Sequence, residues 1–201
     1  MRLLVTRPEV DSRELRARLE AAGHVVTVEP MLEVEPVGEG ALDLAGVQAL
    51  VVTSRNALRA LAGASRNRIA AALQLPLIAV GPGTAELARQ SGFTDVSSGP
   101  AAARDLVEVV RATRDPAAGS VLHLAGETLA FDLVAALTEA GFQARKAVVY
   151  RAHPRRRLTP ETERLLRQRR LDAVILMSPR TAAIYAGLMA THGLAGAVVE
   201  V

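Results

Sequence analysis

Four places in the sequence put hydroxyl, glycine or acidic residues between an apolar run and a helical pattern. The residues concerned are Thr53 and Ser54, Gly81 and Thr84, Gly126 and Glu127, and Ser178 and Thr181. Each apolar run is typical of a buried strand, and each segment that follows is typical of a helix start. Because the N–H groups of a helix's first turn lack intrahelical partners, such positions attract anions. The pattern indicates a ligand with several negative charges, bound where strands end and helices begin.

A phenol is the next candidate for chemistry. Tyr150 lies in a Val-Val-Tyr-Arg stretch that reads as a connection between domains. In a cleft between domains, its hydroxyl could donate a proton or a hydrogen bond to a reacting group. A structural tyrosine that packs against the linker fits the same residues equally well.

The usual catalytic patterns are missing from the sequence. Ser54 and Ser178 lack the G-x-S-x-G arrangement of a nucleophile, which favours helix caps or ligand donors. Thr53 or Ser54 is expected to cap its helix. The histidines have no metal-ligand spacing, and His123 lies inside a strand pattern as a core residue would. We therefore expect no metal site.

The strand and helix that position the first hydroxyl pair occur twice in the chain. The segment Ala49–Leu58 is matched by Ala173–Ala182, at an offset of 124 residues. Gly63 and Gly187 stand at the same offset, and each is expected to end its helix. The two strand ends would then carry equivalent hydroxyls.

A second offset links the start of the chain to its middle. Leu3–Thr6 is matched by Val121–Leu124, and Ala22–Gly23 by Ala140–Gly141, both at 118 residues. Each copy has the strand, helix and strand pattern of a βαβ unit, which gives parallel strands. The sequence therefore predicts an α/β fold that arose by internal duplication.

Two connectors suggest how the copies are divided between domains. Glu29–Gly40 holds two prolines and two glycines around an alternating apolar and acidic piece, and Val148–Pro154 matches it. Segments of this composition are extended and break regular structure. We predict a discontinuous terminal domain of residues 1–36 and 151–201, with residues 37–150 inserted as the other domain.

The second copy of the repeat stops early. Ala197–Val201 aligns with the apolar strand Leu77–Val80, but no counterpart of Gly81–Thr84 follows it. The terminal domain is therefore expected to lack the last part of its repeat.

Composition indicates the class of protein and its partners. Half of the 201 residues are apolar, there is no cysteine, and no signal peptide or membrane-length apolar run occurs. We expect a soluble, cytoplasmic monomer that binds no membrane. The net charge is only +3, and the arginine clusters 155–157 and 167–170 lack nearby aromatic residues. Solvated helix faces explain the clusters better than nucleic-acid binding, and arginine also suits a polycarboxylate ligand.

Several short motifs, taken in order, resemble the uroporphyrinogen-III synthase family. They are Val-Thr-Ser-x-Asn-Ala at Val52–Ala57, Val-Gly-x-x-Thr-Ala at Val80–Ala85, Val-Tyr-Arg at Val149–Arg151, and the Ser-Pro segment at Ser178. The resemblance implies two flavodoxin-like, doubly wound domains with a paired two-segment linker. It also implies a lyase that closes the linear tetrapyrrole hydroxymethylbilane into uroporphyrinogen III, with inversion of ring D and without a cofactor.

The resemblance also implies roles for individual residues. Tyr150 corresponds to a cleft tyrosine proposed to assist loss of the ring A hydroxyl. The ligand-facing loops hold Thr53, Ser54, Thr84 and Ser178. Together with the remaining motif and helix-start residues, these form the expected substrate-binding set, which adds Asn56, Gly81, Gly126, Glu127 and Thr181.

One departure from the family pattern leaves alternatives open. The family has a second Gly-x-x-Thr-Ala loop, whose position here would follow Ala197–Val201. Its absence keeps two other interpretations in view: a truncated, inactive remnant of the synthase, and a two-lobed small-molecule-binding protein without catalysis. Lobes joined by paired linkers also occur in proteins that close around a ligand by hinge motion.

Overall fold

Strands and helices alternate along the chain, and the α/β class predicted from the sequence is confirmed. The computed structural model describes residues 1–37, 42–100, 102–194 and 196. In chain order the elements are β1 (Arg2–Val5), α1 (Glu9–Ala21), β2 (Val25–Val28), β3 (Leu32–Pro36), β4 (Val47–Val52), α2 (Arg55–Ala62), α3 (Arg66–Leu73), β5 (Leu77–Val80), α4 (Gly81–Gln90), β6 (Val96–Gly99), α5 (Leu106–Thr113), β7 (Ser120–Gly126), α6 (Leu133–Glu139), β8 (Ala144–Pro154), α7 (Pro160–Arg167), β9 (Ala173–Ile175) and α8 (Pro179–Thr191).

The chain divides into two compact units. Residues 1–34 with 153–201 form one, here called the terminal unit, and residues 35–152 form the other, called the inserted unit. Both boundaries lie two residues from those predicted for the domains. That each unit folds as an independent domain stays a prediction.

The terminal unit is built on a parallel sheet in the order β2-β1-β9. Leu4 of the central strand is fully buried against a cluster that includes Leu166 of α7 and Leu188 of α8. The carboxylate of Asp172 accepts hydrogen bonds from the backbone N–H and the guanidinium of Arg2, at 2.6 and 2.7 Å. The Arg2 guanidinium lowers the pKa of Asp172 to about 2, and the contact fixes the start of β1 beside β9.

The inserted unit contains a larger sheet in the order β3-β8-β7-β4-β5-β6. Strands β4 to β8 all run parallel to one another. If the parallel strands are numbered cyclically, with β7 as 1, β8 as 2, and β4, β5 and β6 as 3, 4 and 5, their order in the sheet is 2-1-3-4-5. This is the order of flavodoxin-like sheets. In such a sheet the connections leave in opposite directions from the first and third strands, here β7 and β4. Ligands bind at the carboxyl ends of these two strands, which is the topological switch point.

Helices cover both faces of this sheet, because side chains of each strand alternate between two cores. Leu50 and Leu122 belong to one buried cluster, which includes residues of α2 and α4. Val51 and Val121 belong to another, which includes residues of α5 and α6. This is the doubly wound arrangement that the resemblance implied.

The register of the two sheets repeats with the offsets found in the sequence. The paired residues are Leu4–Thr27 and Leu4–Val174 in the terminal unit, and Leu122–Arg145 and Leu122–Leu50 in the inserted unit. An offset of 118 residues relates Leu4 to Leu122 and Thr27 to Arg145, and an offset of 124 relates Leu50 to Val174. The matching register supports internal duplication.

The segments that connect the units are paired strands. The N–H of Val37 donates to the carbonyl of Val149 at 2.8 Å, and the N–H of Arg155 donates to the carbonyl of Met31 at 3.0 Å. Residue numbers therefore rise along β3 as they fall along β8, so these two strands are antiparallel.

Gly187 does not end its helix, and that prediction was wrong. Helix α8 continues to Thr191, whereas α2 ends one residue before Gly63. The physical reason is burial, because Leu188 and Met189 of α8 lie in the core of the terminal unit and hold the next turn in place. The strand expected at Ala197–Val201 lies outside the described residues.

Candidate functional site

The first polar turn of the site follows β4. Ser54, and not Thr53, is the N-cap of α2, since its hydroxyl oxygen accepts from the N–H of Asn56 at 3.2 Å. Leu58 and Leu61 of α2 are buried, which anchors the helix and fixes the direction of its first turn. The Ser54 hydroxyl hydrogen is not used by the cap. It is available to a ligand, as expected for a cap that also serves as a donor.

The second turn lies between β5 and α4 and depends on glycine. Gly81 has φ 66°, a left-handed conformation that glycine adopts without strain, and its N–H donates to the carbonyl of Pro100 at 3.1 Å. Thr84 is almost buried, with 8% of its surface exposed. The guanidinium of Arg55 lies against Gly83 so closely that any side chain at Gly83 would collide with it.

Arg55 was not among the residues predicted from the sequence. Its guanidinium lies beside the first turn of α4, although Arg55 itself belongs to the first turn of α2. It therefore adds a positive charge where an anion would meet a helix start. Gly83 was the only signal of this contact, since a glycine inside a helix start often marks the close approach of another group.

The third element of the site is a tyrosine ring that lies directly on a glycine. Gly126 ends β7 and pairs with Tyr150 of β8. A Cβ on Gly126 would lie 2.7 Å from Cζ and 2.9 Å from the hydroxyl oxygen of Tyr150. The ring also packs against the core cluster of the inserted unit. A packing role for the ring and a chemical role for the hydroxyl of Tyr150 are compatible, because the residue is only partly buried.

Gly126 and Glu127 do not start a helix, and that prediction was wrong: α6 begins only at Leu133, because its cap is Asp132, whose carboxylate accepts from the N–H of Ala135 at 3.1 Å.

Glu127 follows Gly126, and its N–H and carboxylate are both occupied. Its N–H donates to the carbonyl of Tyr150 at 3.1 Å, and its carboxylate accepts from Nε of Arg151 at 3.0 Å. Both side chains are more than half exposed, so the pair adds little to stability. The neighbouring Arg151 guanidinium, which the sequence did not single out, balances the Glu127 charge at this edge.

His123 lies below these turns, in β7, where it pairs with Val51 of β4. Its ring is almost completely buried, as predicted for a core histidine, and its Nε2 lies 3.1 Å from Oγ1 of Thr53. Burial, together with the nearby charge of Lys146, lowers the pKa of His123 to about 4. The ring is therefore neutral near pH 7 and is not a general acid there. Its partnership with Thr53 was not predicted, because the two residues are 70 positions apart.

The fourth predicted helix start lies in the terminal unit. Ser178 caps α8 by accepting from the N–H of Thr181 at 3.1 Å, and the two hydroxyl oxygens are 2.7 Å apart. Since one hydroxyl donates to the other, a single O–H remains for another acceptor. Thr6, at the end of β1, donates to the carbonyl of Ile175 at 2.7 Å and ties together the ends of β1 and β9.

The structure thus brings most of the predicted residues to one edge of the inserted unit. Thr53, Ser54 and Asn56 follow β4, Gly81 and Thr84 follow β5, and Gly126 and Glu127 end β7, beside Tyr150 on β8. These four strands are consecutive neighbours in the sheet. Ser178 and Thr181 occupy the equivalent edge of the terminal unit. Within each unit the polar residues surround the switch point of its sheet.

A cavity of about 570 Å³ opens at the opposite end of the inserted unit's sheet. Its walls include Gly46, Ser120 and Ala144, which lie at the amino ends of β4, β7 and β8. Arg145 in this cavity donates to the carboxylate of Asp43 at 2.8 Å. The cavity holds none of the predicted site residues, and its arginine is already paired.

In the part of the chain that the structure describes, no group of three or more metal-binding side chains occurs. None of the helices in that part combines the length and apolar character needed to cross a membrane.

The sheets and their switch points define the class, a two-unit α/β protein of flavodoxin-like topology. The family profile described as HEM4, uroporphyrinogen-III synthase HemD, matches residues 13–199. The chain belongs to the uroporphyrinogen-III synthase family. None of the curated protein sequences matches it significantly.

Solved structures of the family share the fold. A mutant uroporphyrinogen III synthase from the extreme thermophile Thermus thermophilus is 19% identical, with a TM-score of 0.61 over 98% of this chain and 81% of that one. Uroporphyrinogen-III synthetase from Helicobacter pylori is 21% identical, with a TM-score of 0.62 over 94% of this chain and 78% of that one. At these identities the comparison shows the fold alone, and the predicted flavodoxin-like class is confirmed.

The contact between Gly126 and Tyr150 predicts a specific mutational cost. Gly126→Ala should destabilise the protein by about 1–3 kcal/mol, because the new methyl group overlaps the ring. In a Tyr150→Ala background the same substitution should cost much less. Urea unfolding of the four proteins in this double-mutant cycle measures the coupling.

Gly63→Ala is the matched control. Gly63 lies in the same unit, has an ordinary helical φ of −85°, and its nearest contact for a Cβ is a carbonyl oxygen at 3.4 Å. We expect little change in its free energy of unfolding. Equal costs at Gly126 in both backgrounds would contradict the stacked ring.

Proposed function

We propose that the protein is a uroporphyrinogen-III synthase, a cyclising lyase of tetrapyrrole biosynthesis that serves heme, siroheme or cobalamin. It converts hydroxymethylbilane into uroporphyrinogen III with loss of water and inversion of ring D. One observation carries the proposal: a chain of this family has two helix starts, the turn at Gly126 and a phenol at the carboxyl edge of one sheet, around its switch point. The protein acts as a cytoplasmic monomer and needs no cofactor.

The substrate-binding role of the helix starts follows from charge. Hydroxymethylbilane carries carboxylates on the side chains of its pyrrole rings. Backbone N–H groups and hydroxyls at helix starts can donate hydrogen bonds to such carboxylates. Ser54 has an unused hydroxyl hydrogen, and the Ser178–Thr181 pair has one between them. Arg55 adds a guanidinium at the start of α4. We assign the predicted substrate-binding residues to this task except Glu127, whose N–H and carboxylate are already bound to Tyr150 and Arg151.

Catalysis in this proposal is mainly positional. Hydroxymethylbilane closes without an enzyme, but to the isomer in which ring D is not inverted. The protein must therefore hold the two ends of the chain so that ring D attacks through its substituted carbon. Binding energy that is realised only in this arrangement selects one route over the other. The neutral, buried ring of His123 takes no part in proton transfer.

Tyr150 is the one residue assigned to bond breaking. Loss of the ring A hydroxyl leaves a cationic centre, and the departing oxygen needs a hydrogen-bond donor. The close contact of the Tyr150 ring with Gly126, which leaves no space for the ring to move further into the sheet, supports this role. Removing the hydroxyl should slow this step without changing which carbon of ring D attacks.

The direct experiment supplies the purified protein with hydroxymethylbilane and separates the products by chromatography after oxidation to porphyrins. The proposal predicts an excess of the type III isomer over the type I isomer. A sample without protein gives the type I isomer and is the reference. Type I product alone, at the uncatalysed rate, would contradict the proposed function.

Tyr150→Phe should reduce turnover by up to about 10²–10⁴-fold, the usual contribution of a general acid. The fraction of type III product should stay unchanged, because positioning and not proton donation decides the isomer. Initial rates and isomer ratios are measured together.

The other tyrosine provides the matched control. Tyr185 is buried in α8, within the core of the terminal unit. Tyr185→Phe removes the same atom away from the site and should leave both quantities as in the parent. If Tyr150→Phe turned over as fast as Tyr185→Phe, Tyr150 would have only its packing role.

A further inference from the structure

In addition to their backbone pairing, the two strands of the switch point in the inserted unit are linked by a hydrogen bond between side chains. Oγ1 of Thr53, directly after β4, lies 3.1 Å from Nε2 of His123 in β7. Thr53 is partly exposed, whereas only 1% of the His123 surface is accessible. The pair therefore connects the core of the sheet to a hydroxyl at its functional edge.

The other ring nitrogen of His123 is isolated. Nδ1 is buried and has no hydrogen-bond partner among the described residues. The charged groups that act on the ring are Lys146, on the neighbouring strand, and Asp132, at the start of α6. Burial and Lys146 both lower the pKa of the ring, so near pH 7 it is neutral and carries one N–H.

The isolated nitrogen decides where that hydrogen resides. With the hydrogen on Nδ1, a buried N–H donor would have no acceptor, and buried donors without partners are rare in folded proteins. With the hydrogen on Nε2, the ring donates it to Thr53.

We propose that His123 keeps its hydrogen on Nε2, donates it to Oγ1 of Thr53, and thereby makes the Thr53 hydroxyl a donor to a substrate carboxylate. The last step rests on the proposed function. A hydroxyl has one hydrogen and two acceptor positions. When His123 occupies an acceptor position, the Thr53 hydrogen is directed away from the sheet. In the opposite tautomer, Nε2 would accept the Thr53 hydrogen. Only the oxygen lone pairs of Thr53 would then face an anionic ligand, and they would repel it.

His123 is thus a positioning residue that acts through Thr53. The sequence alone could show a histidine in a strand, but not its partner or its tautomer. A purely structural histidine would also keep its hydrogen on Nε2, where a partner is present, but its replacement would not change the affinity for substrate. The tautomer is therefore necessary for the proposal, and the KM of the variants separates the two roles.

The tautomer can be measured without any substrate. Histidine labelled with ¹⁵N gives long-range ¹H–¹⁵N correlations whose pattern shows which ring nitrogen carries the hydrogen. The His123→Gln variant identifies the His123 signals among those of the four histidines. We expect a neutral ring with the hydrogen on Nε2 near pH 7. A hydrogen on Nδ1, or a doubly protonated ring, would overturn the proposal.

Steady-state kinetics test the consequence for the substrate. His123→Leu should raise KM for hydroxymethylbilane about tenfold and leave kcat within about twofold, because one hydrogen bond to a carboxylate is weakened. His123→Gln can still donate to Thr53 from its amide and should keep KM near the parent value. Thr53→Val combined with His123→Leu should raise KM no further than His123→Leu alone.

These readouts separate the proposal from its premise. A parent protein that does not convert hydroxymethylbilane contradicts the proposed function, while the tautomer is still determined by the labelled histidine. A parent that is active, with unchanged KM in folded His123→Leu, would overturn the role of His123. Circular dichroism and urea unfolding of each variant establish that it is folded.

Discussion

The parallel pairing of β4 with β7 is the constraint on which the site depends. Leu50 pairs with Leu122 in that register, and the strands therefore end side by side at the switch point. Buried side chains on both faces of the sheet hold the register, since a slip of one residue would exchange the two cores. Thr53 and Gly126 come together for this reason alone.

That register has two consequences for the polar groups at the carboxyl edge of the inserted unit's sheet. Gly126 leaves space for the Tyr150 ring, so a phenol from β8 lies over the end of β7. His123, three residues before Gly126, reaches Thr53 from below. The edge therefore combines donors from backbone turns with hydroxyls whose directions are set by buried partners. In the proposed function, this edge binds carboxylates by preorganisation more than by net charge.

The sequence predicted the fold class and most of the residues at this edge because short local patterns of the sequence indicate both the fold and those residues. Apolar runs, glycine turns and two constant offsets are visible without coordinates, and the offsets reappear in the register of the sheets. Contacts between segments far apart in the sequence could not be predicted from local patterns. Examples are the guanidinium of Arg55 against Gly83 and the ring of His123 beside Thr53. Gly187 was misjudged because burial of the following residues outweighed the helix-ending tendency of glycine.

The central claim is that ligand binds at the carboxyl edge of the inserted unit's sheet and not at the cavity on its amino edge. Titration of ¹⁵N-labelled protein with uroporphyrin III, a stable polycarboxylate, tests it directly through backbone amide shifts. We expect the largest shifts at residues 53–56, 81–84 and 126–127. Shifts concentrated instead around Ser120 and Arg145, which line the 570 Å³ cavity, would contradict the account.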